Sequence, residues 1–290
     1  MGILIRKWFL SLAAWLARWL PASAKRALYQ VSPLSHLIRS SLNRAAPEGL
    51  TEVEVAGGGL AGMRLALDLR SEKDYWLGTY EMELQQAIGN LVHPGMIVYD
   101  VGANIGYISL LLARAVGEAG QVFAFEALPQ NVERLRANLA LNEMTGRVTV
   151  VPGAVVEKAR PVHFLIGPSS GTGKAEGSQG RQEIAYTASL LVEGRSLDEF
   201  IYQDRHPEPQ VVKVDIEGGE VLALPGMQRL LKEARPALLL ELHGPEAAQV
   251  AWDTLASTGY QLCRMAPGFP GVPSLEILDW KSYLVAIPTG

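Results

Sequence analysis

The sequence predicts an α/β protein built on a doubly wound, mostly parallel, Rossmann-like sheet. Three observations indicate this class. Apolar runs alternate with helical patterns along residues 95–290. The runs are apolar throughout, which is typical of parallel strands buried on both faces. Several of them end in an acid that is closely followed by glycine. A chain of 290 residues, 48% hydrophobic, is long enough for one such domain with additions.

A smaller segment precedes this domain and predicts a β-hairpin and a helix. Apolar runs at 51–55 and 60–69 flank a turn rich in glycine. A helical pattern over 80–91 then ends at His93-Pro94-Gly95. We therefore expect an N-terminal arm at 1–49, a hairpin and helix cap at 50–94, and the main domain at 95–290.

Strands and helices alternate through most of the main domain, and we expect the final strand to be antiparallel. The predicted strands are 98–101, 121–126, 147–151, 210–215, 236–242, 259–265 and 282–287. The predicted helices are 104–116, 130–142, 219–233 and 245–257. Two further strands, 154–166 and 184–192, interrupt the alternation. They flank an insert at 167–180 whose polar, glycine-rich composition predicts a mobile loop, either a substrate lid or a dispensable insertion.

The first two strands of the main domain carry the pattern of a nucleoside site. Asp100 ends the first strand, and a turn with Gly102, Asn104 and Gly106 leads into a helix. Glu126 ends the second strand, where a carboxylate can bind a ribose diol. A dinucleotide site requires G-x-G-x-x-G for its pyrophosphate, which is absent here. Asp100 would repel a phosphate and suits an ammonium group. S-adenosylmethionine has a ribose, a cationic amino-acid end and no phosphate, so we predict that it binds here.

Two later strand ends carry the candidate catalytic groups. Asp215 lies in the run Lys213-Val214-Asp215-Ile216-Glu217-Gly218-Gly219-Glu220, and His243 follows Glu241 two residues later. A hydroxyl acceptor must lose its proton, and we predict Asp215 as the first candidate base and His243 as the second. A divalent cation held by Asp215 and Glu241 is a third alternative. The spacing requires no metal, and we predict none.

These motifs resemble the FkbM family of S-adenosylmethionine-dependent methyltransferases over about residues 75–245. The resemblance implies a class I methyltransferase fold and methylation of a hydroxyl on a sugar, glycan or secondary metabolite. It implies cosubstrate contacts at Asp100, Gly102, Asn104 and Glu126, and it places Asp215 beside the transferred methyl group. Residues 151–154 offer no side chain for the adenine amine, so Ala154 is expected to make a backbone contact. The matching segments are Gly78–Glu81, Asp100–Gly106, Phe125–Pro129, Ser196–Asp198, Lys213–Glu220 and Glu241.

Two other functions fit parts of the sequence. One is a nicotinamide-dependent oxidoreductase, which the missing third glycine and Asp100 disfavour. The other is a non-catalytic, membrane-associated binding module, which the intact Asp215 cluster disfavours. A nucleic-acid substrate is not expected, because phosphate backbones require a basic surface and the catalytic part of the chain is acidic.

The acidity of the catalytic part follows from an uneven charge distribution. Residues 1–49 hold seven Lys and Arg against one Glu, a net +6, so the remainder carries −10 to reach the total of −4. The segment 1–20 predicts an amphipathic helix with Trp8, Trp15 and Trp19 on its wide apolar face. It suits either an anionic membrane surface or docking on the protein's own body; a signal peptide ranks second, because Arg18 interrupts the apolar stretch. The single cysteine and the cosubstrate favour the cytoplasm, with peripheral membrane contact through 1–20 as an open alternative.

Overall fold

The computed structural model describes residues 46–168, 172–180 and 183–289, together with Trp15 and Ser40. The chain divides into two compact units. The smaller ends at Gln85 and includes Ala140–Asn142, and the larger comprises Gln86–Leu139 and Glu143–Gly290. The predicted helix over 1–20 lies outside the described residues apart from Trp15. The predicted domain boundary at 94/95 lies nine residues after this division and stays a prediction.

The smaller unit contains the hairpin that the sequence predicts. Strands β1 (Leu50–Glu54) and β2 (Arg64–Asp68) pair antiparallel, and a single turn of 3₁₀-helix, Gly58–Leu60, lies between them. Helix α1 (Lys73–Leu77) was not predicted. Helix α2 (Met82–Leu91) begins two residues later than the pattern indicates.

The larger unit is built on a seven-stranded sheet, which confirms the predicted fold class. The strands are β3 (Ile97–Val101), β4 (Gln121–Glu126), β5 (Val148–Pro152), β10 (Val211–Val214), β11 (Ala237–His243), β12 (Tyr260–Arg264) and β13 (Lys281–Pro288). Their order is β12-β13-β11-β10-β3-β4-β5. All pairings are parallel except those of β13, which is antiparallel to both neighbours, as expected. The chain reverses its winding direction between β3 and β10, where open α/β sheets bind their ligands.

The helices differ from the sequence pattern where glycine and proline interrupt them. Helix α3 begins at Tyr107, not at 104, because Asn104 and Gly106 both have positive φ. The single helix expected over 219–233 is three short pieces, and its middle piece contains Pro225 and Gly226. Proline removes a backbone donor and glycine weakens the helix, which explains the break. The helices of this unit are α3 (Tyr107–Val116), α4 (Pro129–Leu141), α5 (Leu197–Tyr202), α6 (Glu220–Ala223), α7 (Gln228–Glu233) and α8 (Pro245–Ser257), with 3₁₀ turns at Leu224–Met227 and Leu275–Ile277.

A second, four-stranded sheet accounts for the interruption of the β/α alternation. It has the order β6-β9-β7-β8 and is formed by β6 (Ala154–Val155), β7 (Arg160–Ile166), β8 (Lys174–Ala175) and β9 (Ala188–Arg195). The predicted strand 154–166 is therefore two strands. The expectation of a mobile loop is wrong for residues 172–180 of the insert, because β8 pairs antiparallel with β7 and the side chains of Lys174 and Ser178 are buried.

Apolar contacts on both faces hold the central sheet. One face carries a group of aromatic side chains, in which Tyr99, Phe123 and Phe125 pack around Phe200 at centroid distances between 5.1 and 5.9 Å. Each of these four side chains is buried. None of the helices in the described part of the chain is both long enough and apolar enough to span a membrane.

Candidate functional site

The predicted site residues converge on one edge of the central sheet. Strands β11, β10, β3 and β4 are consecutive neighbours and run parallel. Their carboxyl ends therefore meet at the same edge. This edge carries His243 at the end of β11, Asp215 after β10, Asp100 near the end of β3 and Glu126 at the end of β4.

The turn after β3 is a closely packed backbone structure. Gly102 has a φ of 84°, and a side chain there would overlap the carbonyl oxygen of Asp215. Only glycine allows the turn to approach β10 this closely. The turn therefore brings the backbone of β3 directly against the chain that carries Asp215.

Three amide groups of this turn donate hydrogen bonds within the protein. The N–H groups of Gly102 and Ala103 both donate to the carbonyl of Phe125, at 3.0 and 2.9 Å. The Gly106 N–H donates to the Ala103 carbonyl at 2.9 Å. Gly106 also faces Leu135, whose side chain would meet an added Cβ. Gly106 thus caps the start of α3 and packs against α4, and its predicted contact with the cosubstrate stays a prediction.

Glu126 fixes the same turn from the neighbouring strand. One carboxylate oxygen accepts the Asn104 N–H at 2.8 Å. The other accepts the Leu128 N–H at 2.8 Å and the Asn131 side-chain amide at 3.3 Å. Burial raises the pKa of Glu126, although these hydrogen bonds act in the opposite direction. A carboxylate has about four acceptor positions, so one remains for a ribose hydroxyl.

Asn104 contributes a second acceptor at this edge. Its backbone has a φ of 50°, in the left-handed region that asparagine tolerates. Its side-chain oxygen is buried and has no hydrogen-bond partner among the described groups. A buried acceptor without a donor is costly, so this oxygen is a candidate to receive a ligand N–H or O–H.

Asp100 is fully buried, and the ammonium group that it meets belongs to the protein. Its carboxylate accepts the Ser109 hydroxyl at 2.6 Å and lies 3.1 Å from the Lys213 ammonium. This differs from the predicted direct contact with the ammonium group of the cosubstrate. Asp100 acts through Lys213, because a buried carboxylate requires a compensating charge.

Lys213 is the residue of this site that the sequence reasoning missed. Its ammonium group donates to the carbonyls of Val101 at 3.3 Å and Gly102 at 2.8 Å. It also lies 3.8 Å from a carboxylate oxygen of Asp215. The lysine inside the apolar run 211–214 was a usable signal, because a buried ammonium group must pair with carboxylates or carbonyls. Lys213 therefore ties the glycine turn to Asp100 and Asp215.

Ala154 has a packing role in the structure. It begins β6, pairs with Gly194 of β9 and belongs to a small apolar cluster with Leu128 and Phe164. Its side chain is buried. The predicted backbone contact between Ala154 and adenine stays a prediction.

Asp215 is the partly exposed acid of the edge. Its side chain is 18% exposed, whereas Asp100 is fully buried. After it the chain turns sharply through Glu217 and Gly218, which have φ values of 53° and 90°. The insert packs on this turn, since the Gln179 N–H donates to the Gly218 carbonyl at 2.9 Å. The backbone on both sides of this acid is therefore fixed, by Gly102 at Asp215 itself and by the insert at Gly218.

His243 does not have the environment of a general base near neutral pH. The imidazole is 1% exposed, with Nδ1 3.4 Å from Glu220 and Nε2 2.9 Å from Glu241. Burial alone would lower its pKa, but the carboxylates of Glu220 and Glu241, with Asp215 nearby, raise it to about 10. In this state the imidazole is protonated and cannot accept a proton. The raised pKa opposes a role as base near neutral pH, and the role of His243 as a second candidate base stays a prediction.

The chain is similar to several known proteins. The sequence profile described as "Methyltransferase FkbM domain" matches residues 100–262, which include the strand ends and turns described above. The chain is 29% identical over 180 residues to hexuronic acid methyltransferase AglP of Haloferax volcanii, covering 61% of this chain and 64% of that protein. A shorter match, 47% identical over 60 residues, is to protein-L-isoaspartate O-methyltransferase of Aeropyrum pernix and covers 21% of this chain and 23% of that protein.

The chain therefore spans less than two thirds of the length of these curated relatives. Among solved structures, the fold is similar to that of methyltransferase FkbM from Methylobacillus flagellatus, with 17% identity and a TM-score of 0.42. That similarity covers 89% of this chain and 60% of that one. The family match confirms the resemblance that the sequence motifs indicated.

Proposed function

Because the chain belongs to the FkbM methyltransferase domain family, we propose that it transfers a methyl group from S-adenosylmethionine to an oxygen atom of a sugar or glycan. One observation carries this proposal. The partly exposed Asp215, whose backbone carbonyl packs against Gly102, lies at the point where the sheet reverses its winding direction. Ligands of open α/β sheets bind at that point. The family match favours methyl transfer over a nicotinamide-dependent reaction.

The residues at the edge fit S-adenosylmethionine. Glu126 retains an acceptor position for a ribose hydroxyl, and the buried side-chain oxygen of Asn104 has no donor among the described groups. Gly102 lets this turn pack against the backbone of Asp215, because a side chain there would overlap it. When bound, the cosubstrate supplies a methyl group on a positively charged sulfur. We propose Gly102, Asn104 and Glu126 as its principal contacts, with Asp100 acting through Lys213.

Asp215 is the proposed base. As the acceptor oxygen forms its bond to the methyl carbon, the carbon–sulfur bond breaks and its electron pair stays on sulfur. The hydroxyl proton passes to the Asp215 carboxylate, so the products are a methyl ether and S-adenosylhomocysteine. The Lys213 ammonium lies 3.8 Å from this carboxylate and partly balances its charge. The glycine turn packs against the backbone of Asp215 and the insert bonds to Gly218 three residues later, and fixed positioning of a base lowers the barrier.

Two observations support a sugar as acceptor. Hexuronic acid methyltransferase AglP is among the similar proteins. In this structure the Trp280 ring is 43% exposed and lies edge-on to His243, with ring centroids 6.0 Å apart. An exposed aromatic ring offers a flat apolar surface on which the C–H face of a pyranose can rest. We propose Trp280 as one wall of the acceptor site.

The proposal is tested with methyl-labelled S-adenosylmethionine and oligosaccharides that contain uronic acids. We expect label in the glycan, and we expect it to resist mild alkali because an ether is stable where a methyl ester is not. Asp215→Asn should bind the cosubstrate as the wild type does but transfer methyl groups at a rate lower by about 10²–10⁴-fold. Glu133→Gln, on the exposed face of α4, is the matched control. Retained turnover in Asp215→Asn would exclude Asp215 as the base.

We also infer a role for the arm, which rests on the sequence because residues 1–14 and 16–20 lie outside the described part. The proposal is that residues 1–20 bind an anionic membrane surface and bring the enzyme to a lipid-linked glycan. Each basic residue near such a surface contributes about 1 kcal/mol. The full chain should sediment with vesicles that contain anionic lipid and should stay in the supernatant with vesicles that lack it. Equal sedimentation of a chain that starts at residue 22 would contradict the idea.

A further inference from the structure

Three side chains at the ends of β10 and β11 form a group with the chemistry of a metal site. Asp215, Glu241 and His243 each direct one donor atom to a common region, and these atoms all lie within 4.8 Å of one another. We propose that this group binds a divalent cation. The sequence left a cation at Asp215 and Glu241 as an alternative that the spacing did not require, and the structure adds His243 to this pair.

The separation of the donors suits a cation between them. In octahedral coordination with bonds of about 2.1 Å, neighbouring donors lie about 3 Å apart and opposite donors about 4.2 Å apart. The observed upper limit of 4.8 Å therefore requires only small side-chain movements. Asp215 is the partly exposed member, so the cation could be reached from the side where the acceptor is proposed to bind.

Unsatisfied atoms provide an independent observation. His243 Nε2 lies 2.9 Å from an oxygen of Glu241, but it has no hydrogen bond of acceptable geometry there. The other oxygen of Glu241 also has no hydrogen-bond partner among the described groups. His243 is 1% exposed and Glu241 is 5% exposed, so water does not readily compensate. A buried polar atom without a partner costs about 1–3 kcal/mol, and a shared cation would satisfy both atoms.

Glu220 has the position of an outer partner that orients the imidazole. Its carboxylate is fully buried, accepts the Ile216 N–H at 3.1 Å and lies 3.4 Å from His243 Nδ1. Cation binding at Nε2 would displace the proton that the imidazolium carries there, whereas this carboxylate holds the proton on Nδ1. Metal-bound histidines are commonly oriented by a carboxylate in this way.

Lysine side chains balance the acidic charge of the group. Lys281 forms an ion pair with Glu241, and Lys213 lies 3.8 Å from Asp215. These cations allow the acidic group to fold without metal. They also compete with a bound cation, so we expect moderate affinity and reversible binding.

The donor set indicates which cation to use as a probe. One imidazole and two carboxylates favour first-row divalent ions over Mg²⁺ or Ca²⁺, which prefer oxygen donors alone. Mn²⁺ accepts such mixed sets and is observed directly by electron paramagnetic resonance. If the proposed function is correct, a cation here would bind the acceptor oxygen and lower the pKa of its hydroxyl. Only this catalytic role of the cation rests on the proposed function, because cation binding requires no acceptor.

The test is a Mn²⁺ titration of the full-length protein after treatment with EDTA, followed by electron paramagnetic resonance. We expect one bound Mn²⁺ per chain, displaced by Zn²⁺, and binding at least about tenfold weaker in Asp215→Asn and in His243→Gln. Glu220→Gln should weaken binding by up to about 10- to 100-fold, as expected for an outer partner. Glu233→Gln, an exposed acid paired with Arg229 on α7, should bind Mn²⁺ as the wild type does.

Two results would overturn the site: no stoichiometric binding to the wild type, or wild-type binding by folded Asp215→Asn. Asp215 is partly exposed, so this variant keeps the test decisive even where His243→Gln fails to fold. S-adenosylmethionine binding is measured in parallel in EDTA. Cosubstrate binding without Mn²⁺ binding would reject the cation site alone, whereas Mn²⁺ binding without cosubstrate binding would reject the proposed function alone.

Discussion

Glu126→Gln is the substitution that most sharply tests how the cosubstrate edge is built. Each carboxylate oxygen of Glu126 accepts a backbone N–H, from Asn104 at 2.8 Å and from Leu128 at 2.8 Å. Glutamine has one acceptor oxygen. In either orientation, one of these two N–H groups must therefore face an amide NH₂ group.

The structure sets the size of the effect. A hydrogen bond to a charged group contributes about 1.5–3 kcal/mol, so the free energy of unfolding should fall by about that amount without any ligand. If the remaining acceptor position of Glu126 binds the ribose, the affinity for S-adenosylmethionine should also fall, by roughly 10- to 100-fold. The two effects are separable because the first is measured without cosubstrate.

Urea unfolding followed by circular dichroism gives the stability, and calorimetric titration of the folded protein gives the affinity. Glu133→Gln makes the same chemical change on an exposed position of α4 and should alter neither quantity. Wild-type stability in Glu126→Gln would refute the account of the turn. Reduced stability with wild-type affinity would refute the ribose contact alone.

Three further outcomes follow from the geometry. In urea unfolding, Gly102→Ala should destabilise the protein by about 1–3 kcal/mol more than Gly62→Ala. Both glycines have φ near 85°, but only at Gly102 would the added methyl group overlap backbone atoms. Equal losses of stability would contradict this reasoning. Lys213→Met should cost about 3–5 kcal/mol by leaving Asp100 as an uncompensated buried charge, and adding Asp100→Asn should recover part of that loss in the same assay. In EDTA, the stabilisation by protonated His243 should be complete below its ordinary pKa of 6.5 and disappear as pH rises towards 10. The difference in unfolding free energy between wild type and His243→Gln should therefore shrink over that pH range, and a constant difference would contradict the raised pKa.

The sheet was predictable because its signals are local. Each strand of the central sheet is a short apolar run, and the acids that end β3 and β4 mark the carboxyl edge in the sequence itself. Helix boundaries were less predictable where backbone conformation overrides periodicity. Asn104 and Gly106 lie inside the predicted helix 104–116, but both have positive φ, so α3 begins only at Tyr107.

The sequence indicated which acidic residues lie at the candidate site, but not which side chains contact one another there. Asp100, Asp215 and Glu126 do meet at one edge, yet the sequence could not show that Lys213 lies between the first two. The role of His243 also depended on its surroundings. An imidazole alone suggests a base near neutral pH, whereas the Glu220 and Glu241 carboxylates raise its pKa to about 10.

The folding of the insert depends on contacts distant in the sequence. Its composition is that of a loose linker, and nothing in residues 172–180 signals a strand. Pairing of β8 with β7 and the hydrogen bond from Gln179 to Gly218 hold it in place. Such contacts become visible only once the strands that they join are assembled.

Hydrogen exchange of the full-length protein with and without S-adenosylmethionine tests the central claim most directly, because it reports both binding and position. We predict slower exchange in residues 101–106, 126–128 and 215–219 when millimolar S-adenosylmethionine is added, and no change with the same concentration of NAD. Unchanged exchange at these three segments, or equal protection by NAD, would contradict the assignment of this sheet edge as the cosubstrate site.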